Sequence, residues 1–567
     1  MDPTTLLTIA SCALTAFLIY YQIKVFSFWK SRGVDGPTPW PFFGTNIYYL
    51  FKNKTELERQ WNRKYGHSYG CYDGLWPVLR TTDIGIIKQV WIKEFSSFTD
   101  RNNITIHHPV AKKWLLWSTG DHWANQRALI SPMFTSVKLR SMLNTVKQCT
   151  ETLLDEISKS FNDAERTKQN GNSDGRKTST ERSVLISRDE LMSCTLDSVA
   201  QSLFGLKLNT YVDKSSEFFK RAFAFSEFSV TRFMVYLLMP LRISRLLSFD
   251  LTAYSKYEYF DNLTKSILKE RRQNKNGASK LKPANDFVQM LLDARIPDEY
   301  QTVYTNEDGL EAHYNDNISK DRLEELQRDQ TKRSKFFRSF DDLEIRGQTT
   351  FLFIAGFETT SSSLSFCLYE LAHHQDVQQE LHDEIQEALV GKSFDQMELS
   401  QLMGLKKLDA FISETFRTHG VVTENNRIVT DREGHTVEIN GKPVHLPYRC
   451  TISYNAHLVH RHPDNWPEPD KFDMSRFYLE NRDRIKSCAY VPFGVGPRNC
   501  AGMRLALLNI KVVLTKLVLN CRLYPGPNSM QYPPSYKQHA FFLQPVNTDI
   551  RVEFRQSSRD ESRISQK

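Results

Sequence analysis

Phe493-Gly494-Val495-Gly496-Pro497-Arg498-Asn499-Cys500-Ala501-Gly502 is the stretch that makes the rest of the chain intelligible. Gly494 and Gly496 let the backbone turn tightly, and Pro497 stiffens it. Cys500 then stands at the start of a long apolar helical pattern, Met503 to Leu519. A thiolate there would meet the positive end of a helix dipole and unpaired backbone N–H groups, which lower its pKa and damp its basicity. Those are the properties of an anionic metal ligand. A lone cysteine after a glycine turn is more often structural, so the segment alone leaves both readings open.

Three patterns lie outward from it. In Gly347 to Tyr369, a helix-length stretch, the only charged residue is Glu358, within Ala355-Gly356-Phe357-Glu358-Thr359-Thr360. Gln348 and the many Ser and Thr argue against a membrane helix, and a single carboxylate in a buried helix marks function because an unpaired buried charge is costly. Gly356 and the two threonines weaken the local helix, leaving room for a small ligand where backbone bonds open. Glu414 and Arg417 stand one turn apart in the helical stretch LKKLDAFISETFR. Such a pair is usually a surface contact of about 0.2–0.5 kcal/mol. Trp123 and Arg127 follow a helix start at Gly120-Asp121 and share one face.

The first residues point to a membrane. Leu6 to Ile23 carries no charge, only Asp2 precedes it, and Lys24, Lys30 and Arg32 follow. That order fits an uncleaved signal anchor over 1–28 rather than a signal peptide, with the body on the cytosolic side. Residues 29–44 read as a basic, proline-rich joint: Gly36-Pro37-Thr38-Pro39-Trp40-Pro41 cannot continue a helix. The remainder, 45–567, reads as one large catalytic domain lengthened by polar inserts at 165–182, a solvated loop, and at 297–335. Helical spacing in LLDEISKSF, DELMSCTLDSVAQSLFGL and NDFVQMLLDAR, against short strand-like runs TVEIN, PVHLP and CTISYN, predicts a mainly α body with a small β region. Hydrophobic residues at 40% and 36 Phe supply a large core. The net charge of +8 is spread along the chain, which excludes a nucleic-acid-binding tract. Nine cysteines with no C-x-x-C spacing exclude a disulfide framework or zinc ribbon.

The glycine-turn segment resembles the haem-binding loop of the cytochrome P450 family, Phe-x-x-Gly-x-Arg-x-Cys-x-Gly, with Phe493, Gly496, Arg498, Cys500 and Gly502 filling every fixed position. The other patterns resemble further family motifs in the expected order: the central-helix motif at Ala355 to Thr360, Glu-x-x-Arg at Glu414 to Arg417, completed by Arg476, and the early Trp-x-x-x-Arg at Trp123 to Arg127. The likeness runs from about Gly36 to the C-terminus and is nearest to the drug-metabolising family 3 and its clan. It implies the cytochrome P450 fold as a single haem-binding domain with a transmembrane anchor. It implies haem b with Cys500 as the iron's axial thiolate, and Phe493 packed under the macrocycle. Arg498, Trp123, Arg127, Arg101 and Arg427 would bind the propionates. Thr359 would hydrogen-bond bound dioxygen while Glu358 relays protons through water. Departures are Ala501 after the ligand, Met474 and Ser475 where relatives have proline and glutamate, LPYRC near Pro447, and the charged insert.

The reaction so implied is insertion of one oxygen atom from dioxygen into a lipophilic substrate. Electrons come from NADPH through a flavoprotein reductase, with cytochrome b5 as an optional second donor, at the endoplasmic reticulum membrane. Candidate pocket walls include Phe353, Ile354, Ala355 and Val421 to Thr423, and Lys138, Arg140, Arg504 and Lys511 are candidates for docking an acidic reductase. Two rival readings are a haem-thiolate peroxide isomerase of the thromboxane synthase type and a non-enzymatic haem sensor or carrier. Retention of Glu358 and Thr359 argues against both.

Overall fold

The apolar stretch around Glu358 forms one uninterrupted helix, Asp342–His373, on which the protein is assembled. The Asp341 carboxylate accepts from the Glu344 amide while the Glu344 carboxylate accepts from the Asp341 amide, a capping box that sets the start. Phe353, Phe357, Leu364, Phe366, Leu368 and Leu371 have no exposed surface, and each contributes roughly 1.5–3 kcal/mol of burial. The helix is apolar and long enough to cross a membrane, but protein covers it, so it is a core helix. The computed structural model describes residues 2–101, 106–170, 184–211, 216–226, 229, 231–232, 235, 246–250, 252–273, 286–294, 339–537 and 543–555. The insert at 297–335 and the part of the other insert after residue 170 lie outside them.

Around this axis pack the helices Arg188–Phe204, Tyr254–Gln273, Lys406–His419 and Met503–Asn520. The helix Ser136–Asn170 continues six residues into the stretch expected as a loop, so that expectation is corrected there. The β region is small, as expected. One sheet has the order β1 (Ser68–Asp73), β2 (Trp76–Thr81), β7 (Thr451–Asn455), β4 (Glu424–Ile428), with β2 and β7 parallel and the other pairs antiparallel. A second joins β3 (Val184–Ile186), β9 (Ile550–Phe554) and β8 (Cys521–Pro525). The hairpin β5 (His435–Ile439) to β6 (Lys442–Leu446) turns on Asn440-Gly441, both at positive φ, which a two-residue turn between twisted strands requires.

Two large apolar cores, with smaller clusters beside them, result among the described residues. The larger surrounds the central helix; the smaller gathers Trp91, Leu79, Ile452, Tyr454, Val491 and Val495 beneath the first sheet. Residues 29–44 are not a free joint. Trp29 and Val34 belong to the smaller core, the Trp29 indole donates to the Cys71 carbonyl at 2.9 Å, and Gly44 bridges to Asp73. The N-terminal helix Pro3–Phe26 precedes this docked segment, with Ile9, Ile19, Tyr20 and Ile23 exposed.

Candidate functional site

The glycine-turn segment lies at the seam of the two cores: Val495 packs into the smaller, Phe493 and Ala501 against the larger. Gly494 and Gly496 both have φ +76, and a Cβ on Gly496 would fall 1.9 Å from the Trp91 carbonyl oxygen. Only glycine fits there. The turn closes where the Cys500 amide donates to the Phe493 carbonyl at 2.9 Å and the Asn499 amide to the Gly496 carbonyl at 3.0 Å. The Phe493 ring meets Phe416 edge-on at 5.5 Å, which ties the segment to the helix Lys406–His419. The Met503–Asn520 helix starts just beyond Cys500, as the apolar pattern predicts.

All nine cysteines are unpaired, and among the described residues Cys500 is the one outside the N-terminal helix whose side chain is accessible. Protein nevertheless crowds it from every direction, so it faces an internal cleft rather than open solvent. The expected lowering of its pKa is not met. Burial pushes the thiol pKa up, with the Gly502 amide and the Arg127 and Arg101 charges opposing. A thiolate at this position therefore needs a cation to hold it, and a coordinated metal ion deprotonates a thiol outright.

Four guanidiniums gather beside it. Arg127 donates from Nη1 to the Asn499 carbonyl at 2.9 Å and from Nη2 to Asn499 Oδ1 at 2.7 Å. Arg101 donates to the Arg498 carbonyl at 3.2 Å, and Arg498 to the Ser118 carbonyl at 2.6 Å while lying 4.3 Å over the Trp123 ring. Arg427, fully buried on β4, donates to its neighbour's carbonyl at Asn426 and keeps Nε and Nη2 without a partner. Nε of Arg127 and of Arg498 are likewise unpartnered. Among the described residues Asp100 is the carboxylate facing the group, 3.5 Å from Arg498. Burial and Arg101 push Arg498 down to about 9, and burial with Arg101 and Arg498 pushes Arg427 well below its ordinary value. Uncompensated buried charges cost several kcal/mol each. A bound anion would offset that cost.

On the central helix, Phe351, Leu352, Ile354, Ala355, Gly356 and Thr359 are half-buried, and the spacing of Phe351, Ile354, Ala355 and Thr359 puts those four on one stripe. Phe353 lies off that stripe, meeting Phe204 and Phe218 edge-on and Phe260 and Phe357 at a tilt, and is core rather than pocket wall. The helix does not open at Gly356. Thr359 instead donates to the Ala355 carbonyl at 2.6 Å, the hydroxyl competition on which the expected weakening rested. Glu358 is buried but not unpaired: Arg188 and, at 2.7 Å, Gln544 both donate to its Oε1. Neither partner is visible in sequence, since both lie far along the chain.

A family model described as Cytochrome P450 matches residues 34–313 and 311–552. The chain belongs to the cytochrome P450 family. Among its relatives, Cytochrome P450 3A11 of Mus musculus is 31% identical over 90% of both chains. Cytochrome P450 3A9 of Rattus norvegicus is 31% identical over 92% of this chain and 91% of that one. Lithocholate 6-beta-hydroxylase of Mesocricetus auratus is 30% identical over 95% and 94%. As a cytochrome P450 the protein is an oxidoreductase that incorporates oxygen, and its cofactor is haem with a cysteine thiolate as axial ligand. The residues present fit that group. The unpartnered guanidinium atoms match two carboxylates, and Cys500 is the accessible thiol beside them. One docking candidate fails in this cytochrome P450: Lys511 is fully buried and pairs with Asp409 at 2.6 Å.

Proposed function

We propose that the protein is a membrane-anchored monooxygenase that inserts one atom of dioxygen into a lipophilic substrate, with NADPH electrons delivered by a separate flavoprotein reductase. The observation that carries this reading is the buried arginine group converging beside the accessible Cys500. Cys500 would hold the iron, Arg101, Arg127, Arg427 and Arg498 would hold the propionates with Trp123 beneath Arg498, and Phe493 would pack against the ring. When bound, the haem supplies oxygen activation, helped by the electron density a thiolate donates.

The chain supplies the rest. Thr359, on the half-buried stripe, offers a hydroxyl that donates into the cleft once it is released from the Ala355 carbonyl. Glu358 holds a proton source one residue away; Arg188, partly exposed, connects it toward solvent. For Glu358 to pass a proton, its Oε1 must loosen from Arg188 and Gln544, so that pair sets how readily the relay runs. Thr359→Ala should let NADPH oxidation continue while product per NADPH falls by on the order of tenfold or more, with hydrogen peroxide rising. Unchanged coupling would remove Thr359 from the relay.

The lipophilic substrate is supported by the apolar stripe of Phe351, Ile354 and Ala355 and by the relative named for hydroxylating lithocholate. The anchor reading is supported by the 24-residue helix Pro3–Phe26 with its exposed apolar side chains. At 1.5 Å per residue that length reaches past the ~30 Å hydrocarbon core. The charge order, with Asp2 before the helix and Lys24, Lys30 and Arg32 after it, supports a body on the cytosolic face of the endoplasmic reticulum, where Lys138, Arg140 and Arg504 remain docking candidates for the reductase. Incubating purified enzyme and reductase with NADPH, ¹⁸O-labelled dioxygen and panels of sterols, fatty acids and drug-like molecules tests the reading. One labelled oxygen in product is expected. Turnover of a lipid peroxide without NADPH, and none with it, would convert the assignment to the isomerase.

A further inference from the structure

The structure assigns a second metal site, remote from Cys500: His67, His462 and Asp464 bind one first-row transition ion, with zinc the probe of choice. The side chains come from two separate parts of the chain. His67 lies at the corner between the helix Lys54–Tyr65 and β1; His462 and Asp464 lie just beyond the short helix Ala456–Val459. One ligand atom from each falls within 4.8 Å of the others. His67 Nε2 is 3.2 Å from Asp464 Oδ2, and His462 Nδ1 is 3.9 Å from the same oxygen. Ligand atoms about 2.0–2.1 Å from a tetrahedral zinc are about 3.3–3.4 Å apart. The first spacing matches and the second closes with a shift of about half an ångström. The imidazoles face each other at 4.4 Å with 29° between their planes.

Both backbones are already held. The His67 carbonyl accepts from the Thr82 amide at 2.8 Å, and the His462 carbonyl accepts from the Asn465 and Trp466 amides at 3.0 Å each. Binding requires the His462 ring to release the Asp464 amide, which donates to its Nδ1 at 3.3 Å, while the held backbones keep the ordering cost low. Two imidazoles and one carboxylate select zinc-like ions over calcium or magnesium, which need more oxygen ligands. Three protein ligands leave the fourth position to water. His462 and Asp464 have side-chain exposures of 14% and 65%, and His67 43%, so an ion can enter from solvent.

The position gives the ion a structural role. Two residues before His462, His460 Nε2 accepts from the Val491 amide at 2.8 Å, and Val491 leads into the Cys500 turn. A metal clamp from the β1 corner to this loop would stiffen the turn's support. Chelator-treated holoenzyme is titrated with zinc by calorimetry, and bound metal is counted by elemental analysis after gel filtration. One zinc per chain is expected, together with a raised melting temperature. His67→Ala and His462→Ala should each weaken binding by about 100-fold or more, beyond the usual loss on removing an outer-shell partner. The native haem spectrum reports folding; should His462→Ala lose it, the more exposed His67→Ala decides. No retained zinc at 0.1 mM, or undiminished binding in His67→Ala, overturns the site.

Discussion

Cys500→Ala should abolish oxygen insertion and remove the thiolate-type, red-shifted Soret band of the reduced carbon monoxide complex, while leaving the polypeptide folded. The folded outcome follows from what Cys500 does in the structure. Its side chain is accessible and fills no core position, and the bond that closes the turn runs from its backbone amide to Phe493. Alanine keeps that amide. The loss of function follows because the remaining body cysteines among the described residues are buried, and none stands beside the arginine group. Arg101, Arg127, Arg427 and Arg498 remain to hold the propionates, so the variant should still take up haem, with weaker retention. Cys500→His sharpens the test by supplying a neutral nitrogen in place of an anionic sulfur: haem should bind without the red shift. Persistence of the thiolate-type band in Cys500→Ala would mean that another sulfur is the ligand.

How far the molecule could be read from its residues depends on whether the information is local. The Gly494–Gly496 turn, the helix after Cys500 and the long central helix are each written in a few adjacent residues, and each forms as the pattern predicts. Strands β1 and β2 escaped that reading. Ser68, Gly70 and Pro77 look like turn punctuation, and β2, besides its hairpin with β1, pairs in parallel with β7 more than 360 residues later. The same distance hid the partners of Glu358, which looked like an isolated carboxylate until Arg188 and Gln544 were brought to it. Lys511 misled in the opposite sense. A lysine in an apolar helix reads as a solvent-facing break, but Asp409 from a distant helix receives it indoors. Phe353 belongs with these, since helical spacing around Glu358 marks an apolar face without saying whether substrate or other phenylalanines cover it.

Arg417→Ala should destabilise the protein by about 3–5 kcal/mol, the cost of stripping one partner from a buried ion pair. Arg417 and Glu414 have no exposed surface, unlike the surface contact their spacing alone would suggest. All five N–H groups of the guanidinium are used. Nε and Nη2 grip the two Glu414 oxygens at 2.7 and 2.8 Å. Nη1 reaches the His460 and Pro469 carbonyls at 3.0 and 2.8 Å, and Nη2 also reaches the Lys471 carbonyl at 3.1 Å. Burial pushes the Glu414 carboxyl up, and this fork, the Asp473 amide at 2.8 Å and the Arg476 charge at 3.6 Å counter it. Alanine strips the fork from that carboxylate, leaving it the Asp473 amide and the Arg476 charge, and leaves three carbonyls without their Arg417 donors. Arg417→Lys should fail almost as badly, because an ammonium has three donors and no planar fork. The damage should travel to Cys500. The same helix carries Ser413, whose carbonyl accepts from Tyr490 Oη at 3.0 Å, and Phe416, which packs against Phe493. Haem should therefore leave Arg417→Ala at urea concentrations where the parent retains it. Adding Glu414→Ala should worsen matters little, since the three orphaned carbonyls remain while the uncompensated charge is gone. Following the Soret band and far-ultraviolet circular dichroism together through a urea series checks this. A shift worth less than about 1 kcal/mol, the net value of one ordinary hydrogen bond, would show that the fork is incidental to the fold.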